Sequence, residues 1–130
     1  MINRKAIIFG IKGYKLTKKE KNIITKYTPW GIILFSRNIK NISQAKKLVF
    51  EIKKIVKDAN YPILIDQEGG RVGRLSKIIN LNKFSQRFFG NLYKTNKKKF
   101  FIYYKIYINS VSDLLKKIGV NINTVPVLDI

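Results

Sequence analysis

Two carboxylates and two guanidinium groups fall within nine consecutive residues, in the run Asp66-Gln-Glu-Gly-Gly-Arg-Val-Gly-Arg74. Such residues can form a hydrogen-bonding cluster for a polyhydroxylated ligand, because carboxylates accept from hydroxyl groups and guanidinium groups donate to them. A turn whose charges pair internally is the plainer alternative. Asp66 closes the apolar run Pro62-Ile-Leu-Ile65, which reads as a buried strand. Its carboxylate is therefore expected at the carboxyl end of a sheet, where α/β folds place ligands. Gly69 and Gly70 permit positive φ and a close approach of backbone to a ligand. The chain holds neither a P-loop nor a GxGxxG fingerprint, so these glycines do not indicate a nucleotide.

Composition narrows the chemistry further. The 130 residues include no histidine and no cysteine, which excludes a Ser/His/Asp triad, a cysteine nucleophile, a Cys/His zinc site and a disulfide framework. With seven acidic residues in all, acid/base work falls to Asp, Glu, Lys or Tyr. Asp66 and Glu68 do not read as a catalytic pair, since nothing in an irregular loop fixes two carboxyl groups about 5 Å or more apart across a scissile bond. No metal and no cofactor is expected.

The elements that must position this segment follow from hydrophobic patterning. Strands are expected at Ala6–Phe9, Gly31–Phe35, Pro62–Asp66 and Val120–Val127. The second and third are continuous apolar runs, as parallel strands covered on both faces require. Thr17-Lys-Lys-Glu20 is a capping box that opens a helix running to about Lys26 and ending before Pro29. Ser43 is the expected cap of a second helix, with Leu48, Ile52, Ile55 and Val56 at helical spacing. A third helix near Lys97–Ile118 carries Phe100, Tyr104, Tyr107, Val111, Leu114 and Ile118 on one face, which places its rings in a core; Gly119 is its stop. The long connection Gln67–Asn96 is expected to hold extra structure, with a short helix over Ser85–Asn91. The order predicts a parallel sheet with right-handed crossovers. One core fits in this length, but a closed (β/α)8 barrel needs roughly 250 residues.

The charge of +20 rests on twenty-two lysines and only five arginines, spread along the chain beside twenty-two isoleucines and twelve asparagines. Nucleic-acid sites draw on the planar arginine fork, so this pattern reads as compositional drift on solvated faces rather than as a nucleic-acid surface. The run Ala6–Gly10 is too short for a signal-peptide core. Phe100–Val111 contains Lys105 and falls short of the roughly eighteen residues a membrane span requires. A cytoplasmic protein without a membrane partner is the expectation.

Four segments together resemble one family: Gly13-Tyr-Lys-Leu16, Gly31-Ile-Ile-Leu-Phe-Ser-Arg-Asn38, Asp66-Gln-Glu-Gly-Gly-Arg-Val72 with Arg74, and Pro126-Val-Leu-Asp129. In order and spacing they are similar to the N-terminal portion of glycoside hydrolase family 3, in its bacterial β-N-acetylhexosaminidase branch of peptidoglycan recycling. The resemblance implies an α/β fold: the N-terminal half of a (β/α)8 TIM-type barrel, not closed within residues 1–130, as a single incomplete catalytic domain. It implies release of terminal N-acetylglucosamine from muropeptides by a retaining mechanism, with a small carbohydrate as partner. Asp66 and Arg74 match sugar-contacting residues of the family, and Glu68 and Arg71 are expected to orient the loop behind them. The family's catalytic histidine and nucleophilic aspartate have no counterpart in these residues, so no catalytic residue is assigned and the chain alone is expected to be inactive. Phe84-Ser-Gln86 lacks the prolines common at that point. A half-barrel should also expose strand edges and apolar faces. Two alternatives remain at this level. One is a family 3 β-glucosidase, against which the short N-terminus and the GIILFSRN segment argue. The other is a basic, non-catalytic module for nucleic acid or an anionic polymer.

Overall fold

A computed structural model describes residues 4–127. Four strands, β1 (Lys5–Gly10), β2 (Pro29–Leu34), β3 (Ile63–Ile65) and β4 (Ile122–Asn123), form one sheet in chain order, and every neighbouring pair is parallel. The crossovers are α1 (Lys18–Tyr27) after β1 and α2 (Ile42–Val56) after β2, with α3 (Gln86–Thr95) and α4 (Lys97–Ile118) between β3 and β4. This is an open α/β half-barrel. Its central strands are the apolar runs of the sequence: Ile32, Leu34, Ile63 and Ile65 are fully buried, and Ile32 pairs with Ile63 in the ladder.

Local chemistry sets the helix ends. Thr17 accepts from the Glu20 amide at 3.2 Å while the Glu20 carboxylate accepts from the Thr17 amide at 2.7 Å, so the predicted capping box opens α1. The cap of α2 differs from the expectation. Asn41, not Ser43, holds that position, and its side chain accepts from the Gln44 amide at 2.8 Å. Gln44 also donates to the Tyr14 and Asn38 carbonyls, which anchors the helix start two residues earlier and leaves Ser43 exposed inside it. Ala45, Leu48, Val49 and Ile52 form its buried face. Gly119 ends α4 at φ +95°, and a β-carbon there would lie 3.0 Å from Val49, so the glycine also sets how closely α4 approaches α2.

Two further expectations need correction. The last strand is shorter than Val120–Val127: the ladder covers Ile122 and Asn123, and Thr124 adds one more bond to the Ile65 carbonyl at 3.0 Å. Beyond it Pro126 has no amide hydrogen to continue a ladder; Asp129 lies outside the described residues. The rings of α4 are not all core residues. Val111, Leu115 and Ile118 are buried and Tyr107 packs on the core. Phe100 and Tyr104 instead join the buried Phe89 and the exposed Tyr93 of α3 in a layer of edge-on and stacked rings. Helical spacing placed them on one face, but α3 covers that end of the face instead of the sheet. The short helix expected at Ser85–Asn91 runs four residues further, with Ser85 as its cap.

The open edge is visible at β1, where Ile7 and Ile8 are 53% and 44% exposed. Along the other edge an apolar groove of about 840 Å³ runs between α3, α4 and β4. No helix among the described residues is long and apolar enough to cross a membrane.

One buried phenol gives this core a pH signature. Tyr61 is fully buried, donates to the Pro29 carbonyl at 2.6 Å, and burial pushes its pKa from 10.0 up to about 12; the nearby Arg4 guanidinium lowers it and Asp58 raises it to lesser extents. The folded state therefore holds this proton more tightly than the unfolded chain. Its stabilising effect is complete below about pH 10 and is lost as pH rises towards 12, by of order 2 kcal/mol in all. Tyr61→Phe is expected to cost about 1 kcal/mol near neutrality for the missing hydrogen bond. It should also flatten the alkaline decline in urea midpoint, and an unchanged decline would place the titration elsewhere.

Candidate active site

One chain of contacts, passing the Phe35 ring, links the carboxyl ends of all four strands. Phe35 follows β2, and the guanidinium groups of Arg37 and Arg74 lie over its ring at 4.5 and 5.4 Å from the centroid. Asp66 follows β3 and takes Arg74 Nη2 at 3.5 Å on one carboxylate oxygen, while the Thr124 hydroxyl, just past β4, donates to the other. Both members of the ion pair are about three-quarters covered. Gly10 ends β1, and a β-carbon there would stand 2.9 Å from the Phe35 ring and 3.0 Å from Arg37 Nη2, so glycine makes room for the stack.

Buried amides hold this arrangement. Asn38 is fully buried; its nitrogen donates to the Ile11 and Gly13 carbonyls at 3.0 Å each, and its oxygen accepts from the Phe35 amide at 2.9 Å. That one side chain ties the segment after β1 to the end of β2 and fixes where the ring lies. Gln67, 2% exposed, accepts from the Leu75 amide at 3.0 Å and so draws the Arg74 segment back beside Asp66. Asn123 pairs with the backbone of Gln67 through both ends of its amide, at 2.9 and 3.3 Å.

Of the residues singled out in the sequence, the fold brings Asp66 and Arg74 into contact. Glu68 and Arg71 form no ion pair with each other among the described residues. Glu68 contributes its backbone, donating to the Val72 carbonyl at 3.0 Å and accepting from the Tyr107 hydroxyl at 3.2 Å, and the residue borders the apolar groove. Burial raises the Tyr107 pKa, with the Gln67 side chain opposing, which keeps the hydroxyl protonated as a donor at neutral pH. Arg71 is exposed. Gly69 and Gly70 adopt φ of +90° and +62°.

Sequence reasoning assigned no role to Phe35, Arg37, Asn38, Gln67 or Thr124. The first three lie in the GIILFSRN segment, where their types alone gave no hint of a shared site; Thr124 reads as an ordinary strand residue. The apolar groove includes none of Phe35, Arg37, Asp66 or Arg74; its lining is mainly aromatic and aliphatic and follows the unpaired side of β4. Convergent polar groups favour the charged edge as the ligand site. No group of three or more Asp, Glu, His or Cys side chains is placed to hold a metal among the described residues.

An open parallel half-barrel with polar groups gathered at the carboxyl ends of its strands is built like part of a larger (β/α) barrel, which holds its ligands at that face. Sequence and fold together match the N-terminal portion of the glycoside hydrolase family 3 β-N-acetylglucosaminidases. A curated β-hexosaminidase of Neisseria meningitidis serogroup C is 40% identical over 73 residues, covering 56% of this chain and 20% of the relative. The crystal structure of native NagZ from Neisseria gonorrhoeae superposes with a TM-score of 0.83 at 27% identity, over 98% of this chain and 37% of that one. The same protein in complex with N-trifluoroacetyl-D-glucosamine matches at 40% identity and a TM-score of 0.50, over 55% of this chain and 20% of that one. A glycoside hydrolase family 3 β-N-acetylglucosaminidase from Paenibacillus matches at 25% identity and a TM-score of 0.66, over 95% of this chain and 23% of that one. No family model matches the chain. The chain spans about a fifth of the length of the curated relatives it matches.

Proposed function

We propose that these residues form the sugar-binding part of a retaining glycoside hydrolase that releases terminal β-N-acetylglucosamine from peptidoglycan-derived muropeptides in the cytoplasm. The observation that carries this reading is the Asp66–Arg74 pair at the carboxyl end of β3, in a chain similar to a protein whose structure holds an N-acylated glucosamine. Asp66 accepts from the hydroxyl groups of the terminal sugar and Arg74 donates to them, and the ring of Phe35 holds the guanidinium in place. Glu68 and Arg71 act on the ligand only through the shape of the loop. Residues 1–130 make up a single, incomplete catalytic domain, and the general acid/base and the nucleophile are not among them. A small carbohydrate is the partner, and no cofactor takes part.

The purified 130 residues are expected to bind N-acetylglucosamine weakly and to leave a chromogenic N-acetylglucosaminide intact. The binding is measured by chemical-shift perturbation and the hydrolysis by release of the chromophore. Measurable hydrolysis lost on Asp66→Ala would overturn the assignment of the catalytic groups to residues other than these.

A further inference from the structure

We propose that the outer face of the α3–α4 hairpin is a docking surface for an anionic lipid bilayer, which the chain meets from one side. The surface stands apart from the sugar site, and the proposal does not depend on the reading of Asp66 and Arg74.

Seven of the fourteen large hydrophobic side chains exposed among the described residues lie on α3 and α4, which make up a quarter of the chain. Phe101 and Ile106 are the most exposed of the seven, at 63% and 59%, and Ile102 follows at 49%. Ile102 precedes the buried Val111 by nine residues, and Ile106 stands nine residues before the buried Leu115. Nine residues are two and a half helical turns, so both isoleucines lie on the face opposite the core. Val111 and Leu115 also line the apolar groove, and neither isoleucine does. An element seated in the groove would therefore leave Ile102 and Ile106 uncovered. Single exposed apolar side chains are ordinary, but a cluster spaced one turn apart on a single helix marks a contact surface.

The charge around that cluster selects the partner. The two helices hold eight basic residues and a single acidic one, Asp113. Lys98 and Lys105 lie one turn to either side of Ile102; both are exposed, and neither forms an ion pair among the described residues. Lysine stems lie along apolar surface and carry their charge out to anionic headgroups, while Ile and Phe enter the acyl boundary. A nucleic acid would reward the lysines through its phosphates and the rings through stacking, but it has no use for Ile102 and Ile106. A second copy of a chain with a net charge of +20 would bring lysines against lysines. No helix among the described residues is long and apolar enough to cross a bilayer, and the proposed contact is with its surface. This is a membrane partner that hydropathy alone did not indicate.

The test is co-sedimentation of the full chain with two kinds of vesicle, phosphatidylcholine alone and phosphatidylcholine with about one-third phosphatidylglycerol. Binding to the anionic vesicles is expected to be at least about tenfold tighter and to weaken as salt rises. Ile102→Gln with Ile106→Gln should lower it about tenfold. Both side chains are exposed, so the urea midpoint should stay where it is. Lys98→Gln, Lys99→Gln and Lys105→Gln together should cost about tenfold or more, and the same change at Lys15, Lys18 and Lys19 only about twofold. Equal binding to the two kinds of vesicle overturns the proposal. Binding to which the isoleucines contribute nothing, or equal losses from the two lysine sets, overturns it too, since either is the general attraction of a cationic chain. Tighter binding to a single-stranded RNA than to vesicles, untouched by the isoleucine variant, overturns it in favour of nucleic acid.

Discussion

Asp66→Ala is expected to weaken N-acetylglucosamine binding by about ten- to a hundredfold, the range in which charge-assisted hydrogen bonds of 1.5–3 kcal/mol fall. The carboxylate has two roles that alanine removes together. It would accept from sugar hydroxyls, and it holds the Arg74 guanidinium and the Thr124 hydroxyl that border the site. Asp66→Asn keeps the shape but can no longer neutralise Arg74, so an intermediate loss is expected. Stability should change little, because Asp66 is only partly buried and follows the strand instead of filling its core. The measurement is titration of the sugar followed by chemical shifts, with urea unfolding as the control. Affinity unchanged in Asp66→Ala would remove the central support for the site. Salt-sensitive binding to an anionic polymer that survives Asp66→Ala but is lost when Lys97 to Lys99 are neutralised would favour the non-catalytic basic module.

Gly69→Ala is expected to cost about 2–4 kcal/mol, a large fraction of the 5–15 kcal/mol that holds a typical domain together. Two independent terms add. At φ +90° a β-carbon is strained in itself. The new methyl would also stand 2.2 Å from the Phe84 carbonyl oxygen and 2.6 Å from the Tyr107 hydroxyl. Phe84 is backbone and cannot step aside as a flexible side chain would, so the loop must move, and Asp66 and Arg74 would separate with it. Gly73→Ala is the control, because the nearest atom to its β-carbon is a comfortable 3.6 Å away. Equal urea midpoints for the two variants would show that the Gly69 turn does not hold the loop.

The parts of the fold that were legible in the sequence are those set by local rules. The continuous apolar runs at Gly31–Phe35 and Pro62–Asp66 read as buried parallel strands, and Ile32 and Ile63 do pair there. The Thr17–Glu20 box and Gly119 mark helix ends because capping depends on neighbours only a few residues away. At the start of α2 the sequence pointed to Ser43, and the structure places the cap at Asn41. The carbonyls of Tyr14 and Asn38, which lie outside the helix and accept from the Gln44 side chain, hold its first turn there.

The candidate site divides in the same way. The position of Asp66 at the carboxyl end of a strand was legible because it closes an apolar run, and the positive φ of Gly69 and Gly70 because their flexibility is an intrinsic property. The sequence by itself thus determined the strand order, the main caps and the edge of the sheet where polar chemistry gathers. Only the tertiary structure decided that Arg74 pairs with Asp66 while Arg71 points no charge at it, and that Arg37 shares the Phe35 ring from thirty-seven residues earlier in the chain. Contacts of that span depend on register and strand pairing. A parallel sheet aligns the carboxyl ends of strands far apart in the chain, and no local pattern records which side chains will meet there.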